Sequence, residues 1–460
     1  MERQRLALAG GIVAAGLALL LLLYFIQGPA WDLVTHYLNA KGFMSQFFLS
    51  KAYAIQGSLT IQNGTTYIEI FRDALSPSIF MLLIPIFSNP ILPYLILVYA
   101  MFAASILVMA RQMRMDYLVS LALFISPYFI MLSLFINSEE LLSVIFMLIA
   151  LGLLYKKHPV AGLFIGLAGL GKETALIFLP MVVFLGGSRK VMAGLALFVA
   201  VTAPWLAFNA YFFGSPIASY VAAIDVNVLG NAPLSVPLIP FLGAIAYPIA
   251  ILAFGLSILG AKRARAALSA FMRRDIARLL LVFLVLSVVA STAVSLRKGQ
   301  FDQLRYGYLI AMAVCVIAAA ILDKWSSDRG FVARIAMAAI AVAAASCLYY
   351  LLVTAPGTNS LAYNANNPGS VLSQAKAELA SLGYANCRVV SNAWPYMIYE
   401  GVGAYAPYSF NSSVGSYPIV AFGNGYGVPL SSIINLDASK TAYSSNSFSI
   451  LLPSKAMCVT

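Results

Sequence analysis

Val160-AGLFIGLAGLGKETALIFLPMVVFLG-Gly187 is the stretch on which the architecture turns. Basic pairs bracket it, Lys156/Lys157 before and Arg189/Lys190 after. Basic residues in short loops between apolar runs mark the cytoplasmic side of a membrane protein. The chain must therefore leave that side and return within about 30 residues, whereas two full crossings need roughly 40. The first arm, Val160–Gly171, has about 12 residues, or ~18 Å as a helix. Its partner, Thr174–Gly187, is little longer. The expected structure is a hairpin of two short helices with Lys172 and Glu173 at its tip, at membrane depth or just beneath the outer interface. Ionisable side chains at such a depth are costly and mark a functional site. The plainer alternative is that the two pair with each other or reach lipid headgroups.

The composition agrees with lipid as the main solvent. The chain is 62% hydrophobic and 10% charged, with a mean hydropathy of +0.89. A soluble domain is about 25% charged. In lipid each backbone N–H and C=O needs an internal partner, so spanning elements are helices or closed barrels. Continuous apolar runs of roughly 18 to 24 residues fit helices. A barrel would show alternating runs of about ten. The net charge of +12 falls mainly in short loops, so no nucleic-acid partner is expected.

Leu6–Ile26, after Glu2, Arg3 and Arg5, is too long for a signal peptide and lacks a small-residue cleavage site; it reads as a start-inside anchor. Further basic clusters are Arg111/Arg114, Lys262/Arg263/Arg265 with Arg273/Arg274, and Lys324/Arg329. Placing these inside predicts spans near 92–110, 115–136, 140–155, 191–212, 237–260, 278–296, 306–322 and 331–353. Together with the anchor and the hairpin, this is an all-α polytopic membrane bundle of about 11 membrane helices over residues 1–354. Ser76–Asn89 is too short to cross and is expected along the outer face. Composition shifts at Pro356 toward Asn, Ser, Gly and Tyr, so residues 355–460 are read as a small extracytoplasmic α+β domain. There Ser370–Leu382 has helical periodicity, and Cys387–Ser391, Pro418–Phe422 and Ser447–Leu452 read as strands. A Cys387–Cys458 disulfide suits an oxidising exterior, though two free thiols fit the spacing equally.

Acidic and basic residues then converge on the outer boundary. The first external loop, 28–76, holds Asp32, Glu69, Arg72 and Asp73. Asn137-Ser138-Glu139-Glu140 opens a span, and Arg297-Lys298-Gly299-Gln300-Phe301-Asp302-Gln303-Leu304-Arg305-Tyr306 puts basic residues outside against the charge rule. A carboxylate can serve as general base, while Lys and Arg can hold a phosphate leaving group. Glu140 is expected in solvent, His36 as structural, and Asp32 has a cap of a loop helix as its plain alternative. Arg297 and Lys298 have headgroup contact as theirs, and Tyr306 an interface anchor. No Walker A, dinucleotide-binding glycine pattern or HExxH occurs. No cofactor is expected; a divalent metal is allowed but not indicated.

The order of these elements resembles the GT-C superfamily of integral-membrane glycosyltransferases, near the dolichyl-phosphate-mannose–protein mannosyltransferases and lipid A aminoarabinose transferases. Asp32 in Trp-Asp-x-x-x-x-Tyr-x-x-Ala resembles the first-loop acidic motif. Glu69-x-x-Arg72 before Leu75-Ser76-Pro77, Ser138-Glu139, Gly166-Leu167-Ala168-x-Leu170-x-Lys172 and Arg305-Tyr306 resemble later family positions. The resemblance covers roughly residues 1–350. It implies inverting transfer of a sugar from a polyprenyl-phosphate donor to a lipid, glycan or protein acceptor. Asp32 would be the general base, and Lys172, Arg305 and Arg72 would hold the donor phosphate. Glu139 would position the acceptor or orient a basic partner; Glu69, Glu173, Arg297 and Tyr306 are secondary candidates. Asp32 is followed by Leu33 rather than by the Glu of the protein mannosyltransferases, which puts a protein acceptor in doubt. The rival readings are a secondary transporter, whose paired short helices would come with internal repeats, and a non-catalytic polyprenyl-lipid-binding protein.

Overall fold

In the computed structural model, the described residues are 2–46, 59–62, 65–68, 74–131, 138–217, 234–297, 300–349, 371–399, 401–405, 417–422, 439–445, 448–453 and 458. In chain order the elements begin with α1 (Glu2–Gln27), α2 (Trp31–Gln46), β1 (Leu59–Gln62), β2 (Thr65–Ile68), α3 (Leu75–Leu83) and α4 (Ile91–Met113). Next come α5 (Tyr117–Phe124), α6 (Pro127–Met131), α7 (Ser138–Tyr155), α8 (Ala161–Gly171), a 3₁₀ helix (Glu173–Leu185) and α9 (Ser188–Phe213). They continue with α10 (Leu238–Met272), α11 (Asp275–Ser295), α12 (Gln300–Arg305), α13 (Tyr308–Leu322) and α14 (Arg329–Tyr349). The last are α15 (Val371–Ser381), β3 (Val389–Ser391), α16 (Trp394–Tyr399), β4 (Ala404–Tyr405), β5 (Ile419–Phe422), β6 (Ser439–Ser444) and β7 (Phe448–Pro453).

These form two compact units. The first comprises residues 1–21, 72–76 and 94–348; the second comprises 22–71, 77–93 and 349–460. Among the described residues, seven helices are long and apolar enough to cross a membrane: Gln4–Ile26, Ile91–Met113, Ser188–Tyr211, Leu238–Met272, Asp275–Ser295, Gln303–Trp325 and Arg329–Tyr349. Several show water a face that only lipid suits, with Met192, Val199, Leu238, Ile239, Val285 and Met337 all exposed.

The expected span 115–136 is broken. Asp116 caps α5, its carboxylate accepting from the Leu118 and Val119 N–H groups at 2.9 and 3.1 Å. The helix ends at Phe124, with Ile125 leaving helical geometry at φ −75, ψ 38, and Pro127 two residues on has no N–H with which to continue it. Ser126 Oγ accepts from Phe129 N–H at 3.2 Å and starts α6. The expected span 237–260 also ends on a real feature. Gly260 leaves the helical region at φ 73, ψ 162, and the basic Lys262/Arg263/Arg265 segment follows the break.

The hairpin forms, with one difference. Its first arm is the 11-residue α8, but the second winds as a 13-residue 3₁₀ helix through Pro180. At about 2.0 Å per residue that arm extends ~26 Å, against ~16 Å for α8. Tighter winding lets a short segment reach further than the sequence length suggests. α8 also lies close to α9: a Cβ on Gly162 would sit 1.9 Å from the Gly194 carbonyl oxygen, so only glycine permits that crossing.

At the far end of α13, charged groups tie helix ends together. Arg5 pairs with Asp116, the Asp116 N–H donates to Asp323 Oδ1 at 2.8 Å, and Arg274 Nη1 donates to Asp323 Oδ2 at 3.1 Å.

The second unit joins part of the first loop to the C-terminal segment. Its five-stranded sheet has the order β4-β3-β5-β7-β6, with β3 parallel to β4 and β5, and β7 antiparallel to β5 and β6. β1 and β2 form a separate antiparallel pair. α15 buries Leu372, Ala375 and Leu379, the i, i+3, i+7 face expected of an amphipathic helix. Asn392 closes a reciprocal pair with Phe422, donating to its carbonyl at 2.8 Å and accepting from its N–H at 3.0 Å. Cys387 and Cys458 form a disulfide. Within the same unit α16 packs on α2, and the buried Tyr396 hydroxyl donates to the Pro29 carbonyl at 3.1 Å. Tyr37 lies edge-on to Phe80 and Tyr399, with ring centres 5.9 and 5.8 Å apart.

Candidate functional site

Three helix ends of the first unit meet around four charged side chains. α7 begins Ser138-Glu139-Glu140, so both carboxylates sit in its first turn, where the helix dipole favours negative charge. α8 ends at Gly171, and Lys172 departs in extended geometry at φ −151, ψ 125. A Cβ on Gly171 would lie 3.0 Å from the Ser143 backbone nitrogen, so glycine lets the tip of α8 close on the start of α7. Arg305 ends α12, just before the chain re-enters a helix at Tyr308.

Among the described residues, these placements give an ion quartet. Lys172 Nζ donates to Glu139 Oε2 at 2.6 Å and lies 3.9 Å from Glu140 Oε1. Arg305 Nε donates to Glu140 Oε1 at 2.6 Å, and its Nη2 lies 3.5 Å from Glu139 Oε1. Lys172 and Glu140 are fully buried, Glu139 is 2% exposed, and the Arg305 side chain is 14% exposed. Arg305 is thus the group of the four that an approaching ligand meets first. Removing one partner from a buried pair is far costlier than losing an exposed one, because the remaining charge is stranded.

The backbone break before α13 is supported as well. The Tyr128 hydroxyl lies 2.7 and 2.9 Å from the Leu304 and Arg305 carbonyl oxygens, and the Leu304 carbonyl also accepts from the Gly307 N–H at 3.0 Å. Gln303 Nε2 donates to the Ser235 and Ser295 carbonyls, both at 3.1 Å, anchoring α12. Beside the quartet, Thr174 Oγ1 and the Tyr308 hydroxyl are 2.5 Å apart. The end of the first loop reaches the same place: the Ala74 N–H donates to the Leu170 carbonyl at 3.1 Å, and Ser76 Oγ accepts from the Tyr94 hydroxyl at 2.9 Å.

Of the residues expected at the site, Glu139, Lys172 and Arg305 come together. Glu173 is half-buried next to Lys172, and Tyr306 is buried with its ring centre 5.9 Å from the Arg305 guanidinium carbon. Arg297 is half-buried just past the end of α11. Asp32 belongs to the second unit, half-buried in the first turn of α2. Glu69 and Arg72 lie outside the described residues, as do Asp73 and Lys298. His36 is buried.

The expectation that Glu140 sits in solvent is overturned. Glu140 is as deep as any residue in the site because Arg305, remote in sequence, supplies the hydrogen bond that allows its burial. The sequence signal was present: two adjacent acids open an apolar span, and an acid that is not needed for solvation is costly there. Tyr128, Thr174 and Tyr308 were also missed as site residues.

Chemically, the quartet can present two cations to an anion, but each is engaged by a carboxylate, so an anion must compete for them. Among the described residues no group of three or more His, Cys, Asp or Glu side chains could hold a metal ion. No family model, curated protein or solved structure matches this chain.

Proposed function

We propose that the protein is a polyprenyl-phosphate-sugar-dependent glycosyltransferase of GT-C-like architecture, working at the outer face of a cell membrane. The observation that carries this reading is the meeting of Lys172 and Arg305 with two carboxylates at helix ends of an apolar bundle. A donor with a polyprenyl tail would lie among the apolar helix faces and bring its phosphate to the two cations, which are suited to stabilising it as it leaves. Asp32 acts as general base on the acceptor hydroxyl, a role worth typically 10²–10⁴-fold. Glu139 positions Lys172 directly. The acceptor's oxygen attacks the anomeric carbon as the bond to phosphate breaks, so configuration inverts. The positive loops argue for a cytoplasmic N-terminus, and the Cys387–Cys458 disulfide supports an oxidising exterior for the C-terminal segment.

A second reading is favoured by the ion pairing of each of the four charges with an opposite charge of the quartet. On that reading the quartet is structural and the protein binds polyprenyl lipid without transferring sugar. The test is transfer of label from radiolabelled polyprenyl-phosphate sugars to membrane acceptors. The wild type should transfer, and Asp32→Asn should lose at least about 100-fold. Equal transfer by both proteins refutes Asp32 as base. Transfer from no donor refutes the enzyme reading and leaves the second.

A further inference from the structure

We propose that an anion docking on Lys172 and Arg305 brings a proton with it, taken up by Glu140 at Oε2. This rests on the phosphate-binding reading above and concerns the regulation of that same site.

Charge sets the constraint. Among the described residues the quartet's two cations and two carboxylates sum to zero, and all four are buried or nearly so. Half-buried Glu173, next in sequence to Lys172, adds a further negative charge nearby. A phosphate entering this cluster leaves an uncompensated negative charge in a low-dielectric site, which is strongly unfavourable. Neutralising one carboxylate removes that excess.

Geometry selects which carboxylate. Glu139 uses both oxygens, Oε2 to Lys172 and Oε1 facing Arg305. Glu140 meets both cations through Oε1, and its Oε2 is buried without a hydrogen-bond partner among the described residues. A bare carboxylate oxygen would repel a phosphate oxygen; once protonated, it becomes a donor and can hydrogen-bond to it. The other titratable groups around the quartet are already committed or too open. Tyr308 pairs with Thr174, and Tyr128 caps the carbonyls of residues 304 and 305. Glu173 also has an unpartnered Oε2 but is only half-buried, and no ion pair within 4.0 Å joins it to either cation. The step balances simply: the Glu140 carboxylate takes one proton from bulk on binding and returns it on release.

The probe is the methyl phosphodiester of farnesol, which carries a single negative charge near neutral pH and takes up no proton itself. Binding to the purified full chain in detergent is measured by calorimetry in buffers of different ionisation enthalpy. The expected result is uptake of about one proton per ligand, with Kd rising about tenfold per pH unit above neutrality. In Glu140→Gln the uptake should vanish and Kd should become independent of pH. Infrared difference spectra of the wild type should gain a protonated-carboxyl band on binding, which tests the idea even if the variant fails to fold. Binding without proton uptake overturns the inference and leaves the functional reading intact. Uptake that persists in Glu140→Gln but is lost in Glu173→Gln overturns the assignment to Glu140. Absence of binding overturns the phosphate-site reading itself, and this inference with it.

Discussion

Replacing Lys172 by Met keeps an unbranched side chain, one heavy atom shorter, and removes its charge. Nζ lies 2.6 Å from Glu139 and 3.9 Å from Glu140, and Lys172 is completely shielded from water. The substitution therefore takes from Glu139 its shortest ion pair among the described residues and leaves it the Arg305 Nη2 at 3.5 Å. Breaking a buried pair from one side costs about 3–5 kcal/mol. The Arg305–Glu139 contact survives, which places the expected loss toward the lower end of that range. Equilibrium unfolding in mixed detergent micelles should register it as a clear drop in midpoint. Lys172→Met combined with Glu139→Leu removes both charges and should recover most of the loss, since replacing a whole buried pair by apolar groups is often neutral. A single variant within about 0.5 kcal/mol of wild type would mean the pair behaves like an exposed one. That result would refute the buried Lys172–Glu139 pair.

Two further outcomes follow from packing and capping. Gly162→Ala must push α8 away from α9, because its Cβ would fall 1.9 Å from the Gly194 carbonyl; thermal unfolding should show a loss of about 1–3 kcal/mol. Asp116→Ala removes the cap of α5, a loss of about 0.5–2 kcal/mol, and also the partner of Arg5. If the same unfolding assay leaves the midpoint unchanged, the cap and the clasp at that end of the bundle contribute nothing.

Much of this arrangement could be read from the residues alone, for reasons that differ from place to place. The short hairpin followed from the charge spacing on either side of 160–187, a constraint that does not depend on side-chain packing. Ser370–Leu382 and the strands near 389, 419 and 448 were legible because period and β-branched content act locally. The 3₁₀ winding of Glu173–Leu185 was not legible. Its apolar composition suits an α-helix equally, and tertiary context decides between the two. The break between α5 and α6 was carried by Ser126-Pro127, a signal overlooked because the apolar run continues through it. Glu140 was misjudged for a third reason. Its burial depends on Arg305, far away in sequence, and no local pattern around 138–142 reports that partner.

The central claim is that Lys172 and Arg305 receive the phosphate of a polyprenyl-linked donor, and a structure of the full chain with a polyprenyl-phosphate sugar bound tests it most directly. The account predicts phosphate oxygens within hydrogen-bond reach of both cations, with the Lys172–Glu139 contact lengthened from 2.6 Å as the anion competes for the ammonium. A phosphate bound elsewhere, with all four ion-pair contacts unchanged, would contradict it.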